Sequence, residues 1–366
     1  MIKSVFLDDL YPDPFKARKG RVYRSQDKYR STAAFRFSPL SSRTKAEGVV
    51  KGRAEVMLRI GRANVNSYRH VIKTADYIAR HGKVELEDQD GNVFLDKGAY
   101  RRKIYEWKIQ SNMGEGESKR GHVRRIILSM PLGTPEEAFK KACRDWAKDM
   151  LSGYDYLMAF HLRSNDEKTH QPHCHVLLRT VGKNKKRFRV NKEEIDAFRE
   201  HFAQCLMKYG IEANSTRRWS RGKVEKSLTQ AEYNVSKNRA MSNEERARIY
   251  AISKKRSLLR NQQSRIKNVI EAEKSGKPIE DHPAIKKAKT TRRKVIELAE
   301  NASRELSASN NAEDRKLAKE LKTYYSSLEP VESKEQRMLR QLNQAKAQQI
   351  KRMQAMRKRK AGSINR

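Results

Sequence analysis

Apolar positions recur along the middle of this chain with two periods. Ala54-Glu55-Val56-Met57-Leu58-Arg59-Ile60 alternates and predicts a strand. Val123–Met130, Tyr156–His161 and Pro172–Leu178 are further short apolar runs of strand length. Between residues 66 and 81, Val71, Ile72, Ala75, Ile78 and Ala79 return at helical spacing, with Gly82 as the stop. Thr134-Pro135-Glu136-Glu137 reads as a helix start, with Thr134 as N-cap, Pro135 at N1 and Glu137 at N3. That helix runs to about Leu151, and another spans 192–208 before Gly210. The order strand–helix–strand–helix–strand–strand–helix predicts an α+β fold, a largely antiparallel sheet with helices packed on one face.

Outside this region the pattern fades. Residues 1–53 are polar and basic, with Pro12, Pro14 and Pro39, and predict a loosely ordered leader. Residues 54–222 carry the folded domain. Residues 223–366 contain no Trp or Phe and predict long, exposed helices punctuated by Gly276-Lys277-Pro278, Pro283 and Pro330. Ser242-Asn243-Glu244-Glu245 has capping-box form. The last segment, 341–366, carries eight Lys/Arg and no acid, as a nucleic-acid arm or a solubilising helix would. No sustained apolar heptad supports a coiled coil.

Charge narrows the partners. The 366 residues carry 82 Lys+Arg against 44 Asp+Glu, a formal net charge of +38. Such a field concentrates polyanions, nucleic acid first among them. A membrane surface is the weaker alternative, because no basic segment also has a strong apolar face. No run approaches the roughly 20 apolar residues of a bilayer span, and the opening residues lack a signal-peptide pattern. Cys143, Cys174 and Cys205 form no CxxC and no disulfide framework, which fits a reducing cytoplasm.

The candidate chemistry lies in Pro172-His173-Cys174-His175-Val176. On a strand His173 and His175 share a face, and Cys174 takes the other. If the strand ending at His161 pairs alongside, three imidazoles converge into a divalent-metal site with open positions. Two half-exposed polar residues on a solvent face would give the same spacing. His81, His122 and His201 read as structural or surface residues.

Three motifs in order then resemble the conjugative relaxases. Asp76-Tyr77-Ile78-Ala79-Arg80-His81-Gly82 with Glu85–Gly91 resembles their first motif. Ile126–Thr134 resembles the second. His161 with Pro172–Val176 resembles the third, the HUH metal motif. The resemblance covers residues 54–222 and is nearest the mobilisation branch related to the T-DNA border endonuclease. Arg163 and Gln171 stand where that family commonly has an Asp and a His, and the loop from His161 to His173 is longer.

The resemblance implies an HUH endonuclease fold and a site- and strand-specific nicking transesterase. Tyr77 would be the nucleophile, with Tyr68 and Tyr100 as alternatives. His161, His173 and His175 would hold Mg²⁺ or Mn²⁺. Asp166, His170, Glu85 and Asp88 are candidates for the base or for outer support. Arg124, Arg125, Lys183, Lys185, Lys186 and Arg187 are candidate phosphate contacts, and Tyr154 or Phe188 candidate stacking platforms. The implied partners are single-stranded DNA at a plasmid transfer origin, relaxosome accessory proteins and a type IV secretion coupling protein. The implied location is the bacterial cytoplasm, with export alongside the DNA also open. Two other readings compete. One is a rolling-circle replication initiator of the HUH class, in which the Tyr typically follows the His pair. The other is a non-enzymatic basic nucleic-acid-binding accessory protein.

Overall fold

The computed structural model describes residues 3–14, 38–61, 65–116, 118, 120–165, 171–224 and 254–364. The capping-box motif at 242–245 lies outside them. The chain divides into two compact units, residues 1–221 with 298–324, and residues 222–297 with 325–366. Residues 298–324 thus belong to the first unit, apart in sequence from its other residues.

In the first unit the apolar runs form a six-stranded sheet. Its strands are β2 (Met57–Ile60), β3 (Leu86–Asp88), β4 (Val93–Phe94), β5 (Val123–Ser129), β6 (Tyr156–His161) and β7 (His173–Arg179). β1 (Ala54–Glu55) leaves the first alternating run to pair in parallel with β8 (Ala213–Asn214). The order across the large sheet is β2-β5-β7-β6-β3-β4, every pair antiparallel.

Helices cover both faces of this sheet, not one. The central strands β6 and β7 are buried along nearly their whole length, so both of their faces need an apolar cover. Leu58, Ile126, Leu128, Cys174, Val176 and Leu178 pack with Phe139, Trp146, Phe198 and Phe202. Those aromatics come from α5 (Glu136–Met150) and α6 (Lys192–Lys208). On the opposite face, Leu157, Ala159 and Leu177 pack with Val71, Ala75, Ile78, Tyr100, Ile104 and Trp107. These belong to α3 (Tyr68–Ile78) and α4 (Lys97–Gln110).

Two local expectations need correction. α5 begins one residue late, with Pro135 at the N-cap, because Thr134 Oγ1 donates to the Pro131 carbonyl at 2.8 Å. The described parts of the leader are ordered, in α1 (Val5–Leu10) and α2 (Ser42–Val50). Lys45 is buried and pairs with Glu200 at 2.5 Å, and Asn214 Nδ2 donates to the Lys45 carbonyl at 3.0 Å. Gly48 makes room for this, since a Cβ there would meet Asn214 Nδ2 at 2.4 Å. Polar content hid this segment, whose anchors are one buried ion pair and small residues rather than an apolar stripe.

Beyond residue 222 lie α7 (Lys254–Ser275), α8 (Pro283–Ser307), α9 (Ala312–Ser326) and α10 (Lys334–Ile364). Arg265 and Glu335 form an ion pair at 3.2 Å. Among the described residues no helix is long and apolar enough to cross a membrane.

Trp146 is fully buried between α6 and the sheet, and its indole N–H donates to the Phe198 carbonyl at 3.0 Å. Trp146→Ala is expected to cost about 3–5 kcal/mol. Thermal unfolding should show this as a drop of roughly 6–20 °C in Tm.

Candidate metal centre and its tyrosine

Strand register brings the three histidines together. His161 lies opposite His173, and His175 lies opposite Ala159, so alternation puts all three on the α3 face. Their ring centroids form a near-equilateral triangle, with sides of 4.9, 4.9 and 5.0 Å. Their ligand nitrogens all lie within 4.8 Å of one another.

Two main-chain carbonyls orient the rings. His161 Nε2 donates to the Ile78 carbonyl at 2.7 Å, and His173 Nδ1 donates to the Gln171 carbonyl at 2.9 Å. A ring nitrogen that donates to a carbonyl leaves the lone pair on the other one. Carbonyl-backed imidazoles of this kind are the usual support for metal-bound histidine. At Gln171, where the relaxase pattern has a histidine, the backbone supplies this contact.

His175 supplies the sharpest observation. Its Nδ1 is buried and has no hydrogen-bond partner. Burial first, then His161, His173, Arg125 and Arg80, push its pKa down to about 3. The ring therefore stays neutral, the form that ligates metal. An orphaned buried nitrogen beside two oriented imidazoles fits a divalent cation, held by His161, His173 and His175.

Tyr77 closes one side of this centre. It lies on the last turn of α3, and its ring is 6.3 Å from that of His175, edge-on. It is 52 % exposed, unusual for an aromatic on the strongly amphipathic α3. The next residue, Ile78, is the one whose carbonyl holds His161. Arg80 and His81 then take positive φ, 47° and 58°, before Gly82 at 94°. That left-handed reversal, costly for residues with a Cβ, brings the Arg80 guanidinium to 5.8 Å from the Tyr77 ring.

Asp76 anchors this turn from behind. Tyr100 Oη donates to it at 2.8 Å, and Arg101 donates through Nε and Nη2 at 3.2 and 2.6 Å. Burial pushes the Asp76 carboxyl up, but the bonds from Arg101 and Tyr100 outweigh it and hold it below its usual range. Tyr100 is fully buried, and burial and Asp76 push its phenol up. It is a positioning group, not an alternative nucleophile. Tyr68 is half-buried, with the Lys108 ammonium 4.5 Å from its ring centre.

The other sequence candidates scatter. Asp88 is buried in the β3–β4 turn, where it accepts from the Asp90 and Asn92 backbone and the Asn92 side chain. Glu85 is exposed just before β3. Asp166 and His170 lie outside the described residues. Phe188 is buried with Tyr154 edge-on at 5.5 Å, so it belongs to the core and is no platform. The Arg124 guanidinium lies 5.9 Å from the Phe188 ring centre, and Arg187 donates to the Gly121 carbonyl. Lys183, Lys185 and Lys186 are exposed on the turn after β7.

Arg125 alone of the basic candidates sits on the histidine face. With it lie Met57, Arg59 and Ile127, in register with His173 and His175 across β5. Met57, Arg59 and Arg125 are exposed, because α3 and α4 cover only the other half of this face. Strand alternation could have identified Met57 and Arg59. The third position after Tyr77 on a helix could have flagged Arg80.

Residues 77–211 match the family model of the relaxases, described as the MobA/VirD2-like nuclease domain. This region is similar to that nuclease domain. The match begins at Tyr77 and contains all three histidines. T-DNA border endonuclease VirD2 of Agrobacterium fabrum and of Rhizobium rhizogenes are each 30% identical over 203 residues. Those alignments cover 50% of this chain and 44% and 45% of the relatives. The Rhizobium radiobacter protein of the same name is 26% identical over 200 residues, 46% of its length. The chain therefore spans less than half of the relatives it matches. A solved structure titled "Molecular Basis of Vancomycin Resistance Transfer in Staphylococcus aureus" aligns over 45% of this chain and 99% of its own. Its TM-score is 0.30 at 13% identity, too loose a likeness to carry an argument.

The depressed His175 pKa gives a signed expectation for the metal-free protein. Unfolded, the ring protonates near 6.5; folded, only near 3. Its contribution to stability is thus fully present above 6.5 and is lost as pH falls from there toward 3. By NMR, the His175 ring should show no titration as pH falls through 6.5, whereas an exposed histidine should.

Proposed function

We propose that this chain is a relaxase, a site- and strand-specific transesterase that nicks single-stranded DNA at a plasmid transfer origin and later rejoins it. The reading rests on one juxtaposition, a solvent-exposed Tyr77 beside the converging His161, His173 and His175 rings.

In the proposed reaction the single strand lies along the uncovered half of the sheet. Arg59 and Arg125 meet its phosphates, and Met57 and Ile127 offer apolar contact to splayed bases. Tyr77 Oη attacks the scissile phosphorus and gives up its proton. The new O–P bond forms as the P–O3′ bond breaks, and the 3′ oxygen leaves and is protonated to a free 3′-hydroxyl. The 5′-phosphotyrosyl link conserves the phosphodiester energy, so rejoining is the same step reversed. The Arg80 guanidinium beside Tyr77 counters the negative charge that builds on the phosphoryl oxygens. A divalent ion held by the three histidines, Mg²⁺ or Mn²⁺ by cellular availability, supplies Lewis-acid polarisation of a non-bridging phosphate oxygen. We place the reaction in the bacterial cytoplasm. Relaxosome accessory proteins and a type IV secretion coupling protein would be its partners, and the protein would travel with its DNA.

Incubation with transfer-origin oligonucleotides and Mn²⁺ should give a DNA–protein adduct that survives SDS. Tyr77→Phe should lower adduct yield by roughly 10⁴-fold or more and leave oligonucleotide binding intact. An adduct that persists in this variant would reject Tyr77 as nucleophile. Cutting confined to a replication origin would instead favour the initiator.

Arg59→Ala and Arg125→Ala should each flatten the salt dependence of single-strand binding by about 0.7 in log–log slope. Fluorescence anisotropy across a salt series measures it. Unchanged slopes would place the strand elsewhere.

A further inference from the structure

A second group of metal-ligating side chains lies on the opposite side of the sheet from the histidine centre. His201 and Cys205 are one turn apart on α6, and Asp149 faces them from α5. His201 and Cys205 are buried, while Asp149 keeps 35 % of its side chain exposed. His201 Nε2 is 2.9 Å from Asp149 Oδ2 and 3.5 Å from Cys205 Sγ. All three donor atoms fall within 4.8 Å of one another.

Two chemical readings compete for such a trio. A nucleophilic cysteine would need its thiol and its carboxylate on opposite nitrogens of the ring, so that the proton passes through the imidazole. Here both converge on the same nitrogen. Convergence on one nitrogen is what metal ligation requires. A tetrahedral zinc ion with Zn–N and Zn–O near 2.0–2.1 Å and Zn–S near 2.3 Å separates its ligand atoms by roughly 3.4–3.6 Å. The N–S edge already has this length, and the N–O edge opens by about half an ångström.

The surroundings supply the rest. His201 Nδ1 faces Gln204 Oε1 at 3.4 Å, an acceptor that holds the proton on the far nitrogen when Nε2 ligates. Asp145 is engaged by Lys208 at 2.5 Å and Tyr209 Oη at 2.8 Å, so it stands outside the trio. The exposed edge of Asp149 opens the trio to solvent on one side.

We propose that Asp149, His201 and Cys205 form a zinc site that clamps α6 onto α5, separate from the relaxase centre. Binding replaces the thiol proton and the Nε2 proton, where present, with the cation. The ion carries no catalytic role here.

Cobalt distinguishes the two centres, because the His161–His173–His175 set contains no sulfur. The full chain loaded with Co²⁺ should show a thiolate-to-cobalt charge-transfer band in the near ultraviolet. Cys205→Ser should abolish that band and remove one equivalent of bound zinc. His173→Asn with His175→Asn should keep both. Zinc should raise Tm in that double variant, and adding Cys205→Ser to it should abolish the rise. Zinc affinity at this site should fall tenfold or more in Cys205→Ser. The proposal is overturned if wild-type protein gives no charge-transfer band, or if the band or the zinc equivalent survives Cys205→Ser. Either result leaves the reading of Tyr77 untouched.

Discussion

Antiparallel pairing of β6 with β7, in the register that sets His161 opposite His173, is the constraint on which the whole centre depends. A slip of one residue would send either strand's histidines to the α5–α6 face. The same slip would turn Cys174, Val176 and Leu178 out of one core and Leu157, Ala159 and Leu177 out of the other. Two hydrophobic cores therefore enforce one arrangement of the three imidazoles. Few fully buried strands can carry polar side chains at all, since an unpaired buried polar atom costs about 1–3 kcal/mol. Two of the three imidazoles escape that penalty through main-chain carbonyls. The third, His175, does not, and that is where the fold stores an unmet demand for a ligand.

The bond from His161 to Ile78 couples this sheet to α3. Tyr77 immediately precedes Ile78, so the tyrosine sits one residue before the carbonyl that holds the first histidine. Asp76 adds a second restraint on the same turn through Tyr100 and Arg101. With the helix end held on both sides, the strained left-handed pair Arg80–His81 can be tolerated. The reversal would otherwise relax and carry the Arg80 guanidinium away from the tyrosine. Preorganisation of this kind matters because a catalytic group misplaced by an ångström can cost orders of magnitude in rate.

Much of this was legible in the sequence, and the limits were physical. Alternation put His173 and His175 on one face without a structure, because strand period is two everywhere. Placing His161 beside them needed only that consecutive strands pair. The histidine Tyr77 approaches depends on α3 crossing the sheet, and helical spacing within α3 says nothing about that crossing. The one-sided sheet was a misreading for a related reason. Buried central strands read as continuous apolar runs, and such runs do not say how many faces they cover. Asp88 looked like a candidate base because acids in a turn resemble acids in a site. Its burial pushes the carboxyl up, yet Asn92 and the Asp90 amide more than offset this, which marks a turn-closing role. The leader misled differently, since Lys45 and Glu200 form a buried pair that composition reads as solvated charge.

Charge and site make separate contributions to recognition. A net charge of +38 draws any nucleic acid, and its effect does not depend on base sequence. Discrimination must then come from the few groups close to the tyrosine. The uncovered half of the histidine face is where such groups can act, because it joins exposed Arg59 and Arg125 to the apolar Met57 and Ile127. In the proposed reaction a single strand would lay its backbone on these arginines and turn its bases to the side. In the proposed reaction, selectivity for unpaired DNA would follow from the same asymmetry, which covers β6 and β3 and leaves Met57, Arg59 and Arg125 of β2 and β5 exposed.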